Sequence, residues 1–164
     1  MITRFFLVKM IIKNKNLAFT ALTHSSYSNE MRTKNATAEC NERMEFLGDS
    51  VLSIITSEYI FGKYKELPEG ELTKIRANSV CEGALFEYAG EIKLGEYMNL
   101  GHGEERNGGR YHRAILADAF EALIAAMYLD SGIEQAKKFL EQEGLQIISI
   151  KARGKLDIDI SIGN

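Results

Sequence analysis

Apolar residues recur every third or fourth position through most of this chain, a period that predicts a string of helices. The clearest runs over residues 41–64, where Met44, Leu47, Val51, Leu52, Ile55 and Tyr59 share one face. Gly48 sits on that face in mid-helix. A poor helix former at such a position points to the close approach of another helix. A shorter helix is expected over residues 17–24, capped near Asn16, and residues 25–40, rich in Ser, Asn and Thr, read as a loop. After Pro68-Glu69-Gly70 a helix carries Leu72, Ile75 and Arg76 to about Val80, and another spans residues 82–92 with Leu85, Phe86, Tyr88 and Ala89 on its apolar side. Residues 95–109 hold five glycines and several charges and read as a mobile loop. Helix resumes over residues 113–129 and closes at Asp130-Ser131-Gly132. A last helix over residues 133–146 sets Ala136, Phe139 and Leu140 against Glu134, Lys137 and Lys138. In the tail, Leu156, Ile158, Ile160 and Ile162 alternate with polar residues, which is strand period; the apolar stretch 2–8 is the one obvious partner.

Composition narrows this to a helical, single-domain chain. Its 164 residues can bury a core, and one proline with no tryptophan agrees with helices. A net charge of -3 argues against a generally basic nucleic-acid-binding protein while leaving room for a local basic surface. The first sixteen residues, for instance, carry Arg4, Lys9, Lys13 and Lys15 and no acid. Cys40 and Cys81 form no metal or redox pattern and read as reduced, structural thiols. Residues 2–12 look superficially like a secretion signal, but Lys9 interrupts the apolar core and no small-residue cleavage site follows. No other run could span a bilayer, so no membrane association and a cytoplasmic location are expected.

The chemistry lies in acids placed on apolar helices. Glu42, Glu45 and Asp49 follow a three-then-four spacing that lines one helical face, and Asp118 and Glu121, three apart, share another. The helix bearing the second pair is apolar nearly all round, so two unpaired carboxylates there would cost several kcal/mol each. One remedy is pairing with Arg76, Arg110 or Arg113. The other is a divalent cation shared by Glu45, Asp49, Asp118 and Glu121, and two such acidic pairs on two helices favour it. Donors that are all carboxylates favour Mg²⁺ or Mn²⁺ over Zn²⁺. Such centres commonly act on phosphates, and no phosphate-cradling glycine loop competes for that role. Phe46 is the odd neighbour. It shares a strip with Ser50, Ser53 and Ser57, and spacing alone fits a core ring and a knob at a subunit interface equally well. His24 reads as a hydrogen-bonding residue of the fold. His102, His112, Lys137 and Lys138 read as solvated, and Lys74 and Asn78, on the helix after Glu69, could approach the metal site or substrate, which spacing alone does not show.

Residues 42–52 (ERMEFLGDSVL) resemble the signature of the ribonuclease III family. So, in order and spacing, do residues 21–27 (ALTHSSY), 70–77 (GELTKIRA), 100–105 (LGHGEE) and 115–129 (ILADAFEALIAAMYL). The likeness covers about residues 17–140 and is greatest to bacterial members. It implies an all-α ribonuclease III endonuclease domain over residues 1–150, a homodimeric helical bundle whose valley holds double-stranded RNA. Each subunit would hydrolyse one strand, leaving 5′-phosphate and 3′-hydroxyl ends, in processing of ribosomal and other structured RNA. By matched position the resemblance makes Glu45, Asp49, Asp118 and Glu121 the catalytic, metal-binding set for Mg²⁺, with Mn²⁺ a substitute. It assigns Glu42 and Glu69 to a second acidic pair that contacts RNA or supports cleavage, and Phe46 to the knob that enters the other subunit. The pattern departs in two places. The opening residues fit poorly, and residues 151–164 form a tail where bacterial members continue into a double-stranded-RNA-binding domain of ~70 residues. Weaker, more salt-sensitive RNA binding is the corresponding expectation.

Overall fold

A computed structural model describes residues 12–141. Among them the elements are α1 (Lys15–Ala21), α2 (Ser25–Thr33), α3 (Glu42–Lys63), α4 (Glu69–Ser79), α5 (Glu82–Glu91), α6 (His102–Arg106), α7 (Arg113–Ser131) and α8 (Ile133–Phe139). Single 3-10 turns cover Leu94–Tyr97 and Gly109–Tyr111. The described residues contain no sheet, only an isolated bridge between Thr23 and Asn99, so the all-α expectation holds.

α7 is the axle. α3, α5, α8 and α1 all pack on it, α3 most extensively. Its alanines at 117, 119, 122, 125 and 126 are essentially inaccessible, and such short side chains admit neighbours from every side. Larger residues fill the gaps: Phe120 meets the Tyr88 ring at 5.7 Å, and Tyr88 donates its hydroxyl to Ser79 O at 3.2 Å. The expected close approach at Gly48 is severe. A Cβ placed there would lie 1.8 Å from the backbone oxygen of Glu121, so only glycine permits the α3–α7 contact.

Helix ends follow local chemistry. Asn14, in the neighbourhood of Asn16, caps α1 by accepting the amides of Asn16 and Leu17. The Lys13 and Asn14 amides in turn donate to the Asp130 carboxylate at 3.0 and 2.8 Å, tying the start of α1 to the end of α7. Acids at Glu42 and Glu45 open α3, Lys63 closes it, and Gly132 at φ 85 ends α7.

Three expectations fail. The first half of the supposed loop 25–40 is helix α2, whose polar residues hid its caps. His24 accepts the Ser26 amide at one end, and Glu30 accepts Lys34 Nζ and the His102 amide at 2.9 and 2.7 Å at the other. The glycine-rich segment is built, not loose. Arg110 donates to Gly95 O at 2.6 Å and Met98 O at 3.1 Å and pairs with Glu105. Gly95 is there because a Cβ would sit 2.4 Å from Arg110 O. His102 bonds Glu30 through Nδ1 at 2.5 Å, and Lys137, expected to be solvated, pairs with Glu58 at 2.8 Å. The end of the last expected helix beyond residue 141, the strand reading of the tail and its proposed partner at residues 2–8 lie outside the described residues.

Candidate metal centre

Glu45 stands on the first turns of α3, and Asp118 and Glu121 stand on the middle of α7. Gly48, one turn beyond Glu45, is the point where α3 touches the Glu121 backbone. Helical spacing and that contact together carry the acids into one place. Glu45, Asp118 and Glu121 each present an oxygen, and these oxygens lie within 4.8 Å of one another.

The electrostatics record the crowding. Burial, then the charges of Asp49, Glu45 and Asp118, push the Glu121 carboxyl up to about 8. Burial first, and then Asp118, Glu42 and Asp49, raise Glu45. Asp118 is also raised, by burial and by Glu82, while the His24 ring pulls it down. The arginines that could have neutralised these acids are engaged elsewhere. Arg76 donates to Ser57 Oγ at 3.2 Å, Arg110 holds Glu105 and two carbonyls, and Arg113 lies over the Phe86 ring. Among the described residues no ion pair reaches Glu45, Asp49, Asp118 or Glu121. Converging carboxylates without a protein cation suit a hard divalent ion held by oxygen donors.

The remaining acids are placed less tightly. Asp49 is exposed and outside the three-oxygen group, although its charge reaches both Glu45 and Glu121. It lines a shallow groove with Ser50, Ser53, Ile54, Ser57 and Arg76. Glu42 is exposed one turn before Glu45. Glu69 opens α4, accepts the Thr73 hydroxyl at 2.7 Å, and edges a second groove of about 440 Å³ with Ile54, Phe61 and Arg76. Phe46 is not core: it is 79% exposed, and Ile54 (56%) and Phe61 (74%) accompany it on the outer face of α3.

Sequence reasoning passed over Ile54 and Phe61, though both follow Phe46 at helical spacing and could have been found that way. It also passed over Glu82. Its charge reaches Asp118 through the packing of α5 on α7, which no local pattern encodes.

The family model described as Ribonuclease-III-like matches residues 14–148. The chain is 50% identical over 130 residues to Ribonuclease 3 of Listeria innocua, covering 79% of this chain and 56% of that relative. It is 49% identical over 147 residues to Ribonuclease 3 of Clostridium acetobutylicum, covering 90% and 62%. Among solved structures, the nuclease domain of ribonuclease III from Campylobacter jejuni, described for structural flexibility in a region involved in dimer formation, superposes with a TM-score of 0.76. That match has 36% identity and covers 89% of this chain and 97% of that one. The chain thus spans about three fifths of the length of the curated relatives it matches.

Proposed function

Because the chain belongs to the ribonuclease-III-like family, we propose that it is an endoribonuclease that hydrolyses the phosphodiester bonds of double-stranded RNA. The observation that carries the proposal is the convergence of Glu45, Asp118 and Glu121 within 4.8 Å with no ion pair to any of them among the described residues.

Glu45, Asp118 and Glu121 would hold Mg²⁺, with Mn²⁺ as a substitute, and Asp49 would complete the set from the outer edge. When bound, the ion supplies Lewis-acid polarisation of the phosphate and activation of water for in-line attack. The chain's own residues prepare for this. Burial, then the charges of Asp49, Glu45 and Asp118, push Glu121 up to about 8, so this carboxyl would exchange a proton for a bound ion. The apolar packing around α7 fixes the backbone that bears Asp118 and Glu121, so their oxygens need little rearrangement. Duplex RNA would be read through the shape, phosphates and 2′-hydroxyls of its A-form helix.

Phe46, Ile54 and Phe61 form an exposed apolar stripe on α3 beside the grooves that Arg76 lines. A second copy would cover this stripe, with Phe46 entering the partner, and the homodimer would bring two centres to opposite strands. Glu42 and Glu69 would flank the bound duplex. Ribosomal and other structured RNA in the cytoplasm are the natural substrates on this reading. No described helix is long and apolar enough to cross a membrane.

The test is cleavage of a long RNA duplex at low salt with and without Mg²⁺. The reading requires Mg²⁺-dependent fragments carrying 5′-phosphate and 3′-hydroxyl ends. Binding of the duplex with no cleavage at any Mg²⁺ concentration would overturn it.

A further inference from the structure

The outer face of α3 reads nearly the same in both directions. Phe46 and Phe61 lie equally far from the midpoint between Ser53 and Ile54, and so do Ser50 and Ser57. All six are exposed or half-buried, and helical spacing sets them on one side of α3. Such a face is self-complementary when a second copy lies across it in the opposite sense, the condition for an isologous dimer. Phe46 of each copy then falls near Phe61 of the other, and Ser50 near Ser57.

Arg76 stands beside this face. It is half-buried, and among the described residues its guanidinium makes one hydrogen bond, from Nη1 to Ser57 Oγ at 3.2 Å. It lines one groove with Asp49, Ser50, Ser53 and Ser57, and a second with Ile54, Phe61 and Leu72. A second copy laid over Ile54 and Phe61 would strip water from this cation, which is costly unless a carboxylate meets it. Three acids border the two grooves: Asp49, Glu58 and Glu69. Glu58 pairs with Lys137 at 2.8 Å, and Glu69 accepts the Thr73 hydroxyl at 2.7 Å. Asp49 is exposed, and among the described residues no ion pair or side-chain hydrogen bond reaches it. Within one chain Asp49 lies about 12 Å along α3 from the level of Ser57, where Arg76 is held. Turning a copy over about the midpoint exchanges these two levels but leaves each edge of the face on its own side. Asp49 and Arg76 border the same groove, hence the same edge. Arg76 of each copy therefore comes over Asp49 of the other.

We propose that Arg76 reaches across a two-fold axis at Ser53 and Ile54 of α3 to the Asp49 carboxylate of a second copy, so that each copy steadies a carboxylate at the rim of the other's metal centre. The planar fork of guanidinium donors suits a carboxylate partner. Asp49 stands outside the three-oxygen group in one copy and gains a fixed partner in two. The inference rests on the homodimer reading and adds to it an axis, a register and a specific pair.

Charge reversal in mixed dimers separates pairing across the interface from pairing within a chain. Asp49→Arg sets arginine against Arg76 twice per dimer, and Arg76→Asp sets aspartate against Asp49 twice. Each variant alone should dimerise on the order of 100-fold more weakly than wild type. In a dimer of one Asp49→Arg chain and one Arg76→Asp chain, both contacts across the axis again join opposite charges. We would mix the two full chains, differently tagged and without divalent ions, and follow them by native mass spectrometry and sedimentation, with circular dichroism as the check on folding. The inference predicts that the mixed dimer prevails over either homodimer. Pairing within one chain gives no such preference, so a mixed dimer no stronger than the homodimers would overturn it, as would unchanged dimerisation of either variant. Should a reversal fail to fold, Asp49→Asn and Arg76→Met replace the pair in a double-mutant cycle on dimer dissociation. Coupling of about threefold or more there supports the pair, and additive losses overturn it. A monomeric wild type would instead remove the homodimer reading, and the inference with it.

Discussion

Gly48→Ala adds a single methyl group at the α3–α7 contact, and the structure fixes what that methyl meets. Its carbon would lie 1.8 Å from Glu121 O, 2.4 Å from Glu121 C and 3.1 Å from Glu121 Cα. Ordinary contact begins near 3.4 Å, so the helices would have to part by about 1.6 Å. Every colliding atom is backbone, so no rotamer change relieves the clash. Overpacking of this kind costs about 1–3 kcal/mol, and the upper end applies when nothing can swing aside. Alanine's better helix propensity returns about 1 kcal/mol, leaving a net loss of about 2 kcal/mol. The displaced atoms belong to Glu121 itself, so the same shift must pull its carboxylate away from Glu45. Urea unfolding of the metal-free protein and calorimetric titration with Mn²⁺ measure the two effects. The expected outcome is a lower midpoint together with Mn²⁺ binding weakened by about tenfold or more. A variant as stable as wild type, or more so, with unchanged ion affinity would refute the argument that this glycine exists to seat Glu121 against α3.

Other outcomes follow from the same geometry. Glu121 is raised to about 8 against an ordinary 4.5, so the folded state holds a proton that the unfolded state has released. Metal-free protein should therefore be most stable below about pH 4.5 as far as this group is concerned, and lose stability as pH rises toward 8; Glu121→Gln should flatten that slope in pH-dependent melting. The same variant should keep the fold and nearly abolish RNA cleavage, whereas wild-type turnover would refute its assigned role. Phe46→Glu places a charge in the middle of the exposed apolar stripe and should shift sedimentation from dimer to monomer with little change in melting temperature. Arg110→Ala removes a charged donor from Gly95 O and Met98 O and should cost about 1.5–3 kcal/mol in urea unfolding, with exchange of amides 95–111 accelerated.

Long elements with strong periodicity were legible from the sequence. The helices over Glu42–Lys63 and Arg113–Ser131 announce themselves by spacing, and Gly48 forecast the contact between them. The acidic centre was legible for the same reason, since each of its two pairs lies on one helix and only their meeting required tertiary structure. What escaped depends on contacts between distant segments. α2 is too polar to betray an apolar face, and it is held by His24 at one end and by Glu30 meeting His102 at the other. The glycines of residues 95–109 suggested mobility, yet Arg110 bonds and close backbone approach account for them. Spacing set Asp49 level with the other three acids, while packing leaves it exposed at the rim. Helical period says which face a residue occupies but not how far that face stands from its neighbour.

Crystals grown with Mn²⁺ and measured at the manganese edge would reach the central claim most directly. An anomalous peak about 2.1 Å from oxygens of Glu45, Asp118 and Glu121 is the predicted result. Carboxylates turned apart, or bridged by arginine with no peak between them, would contradict it.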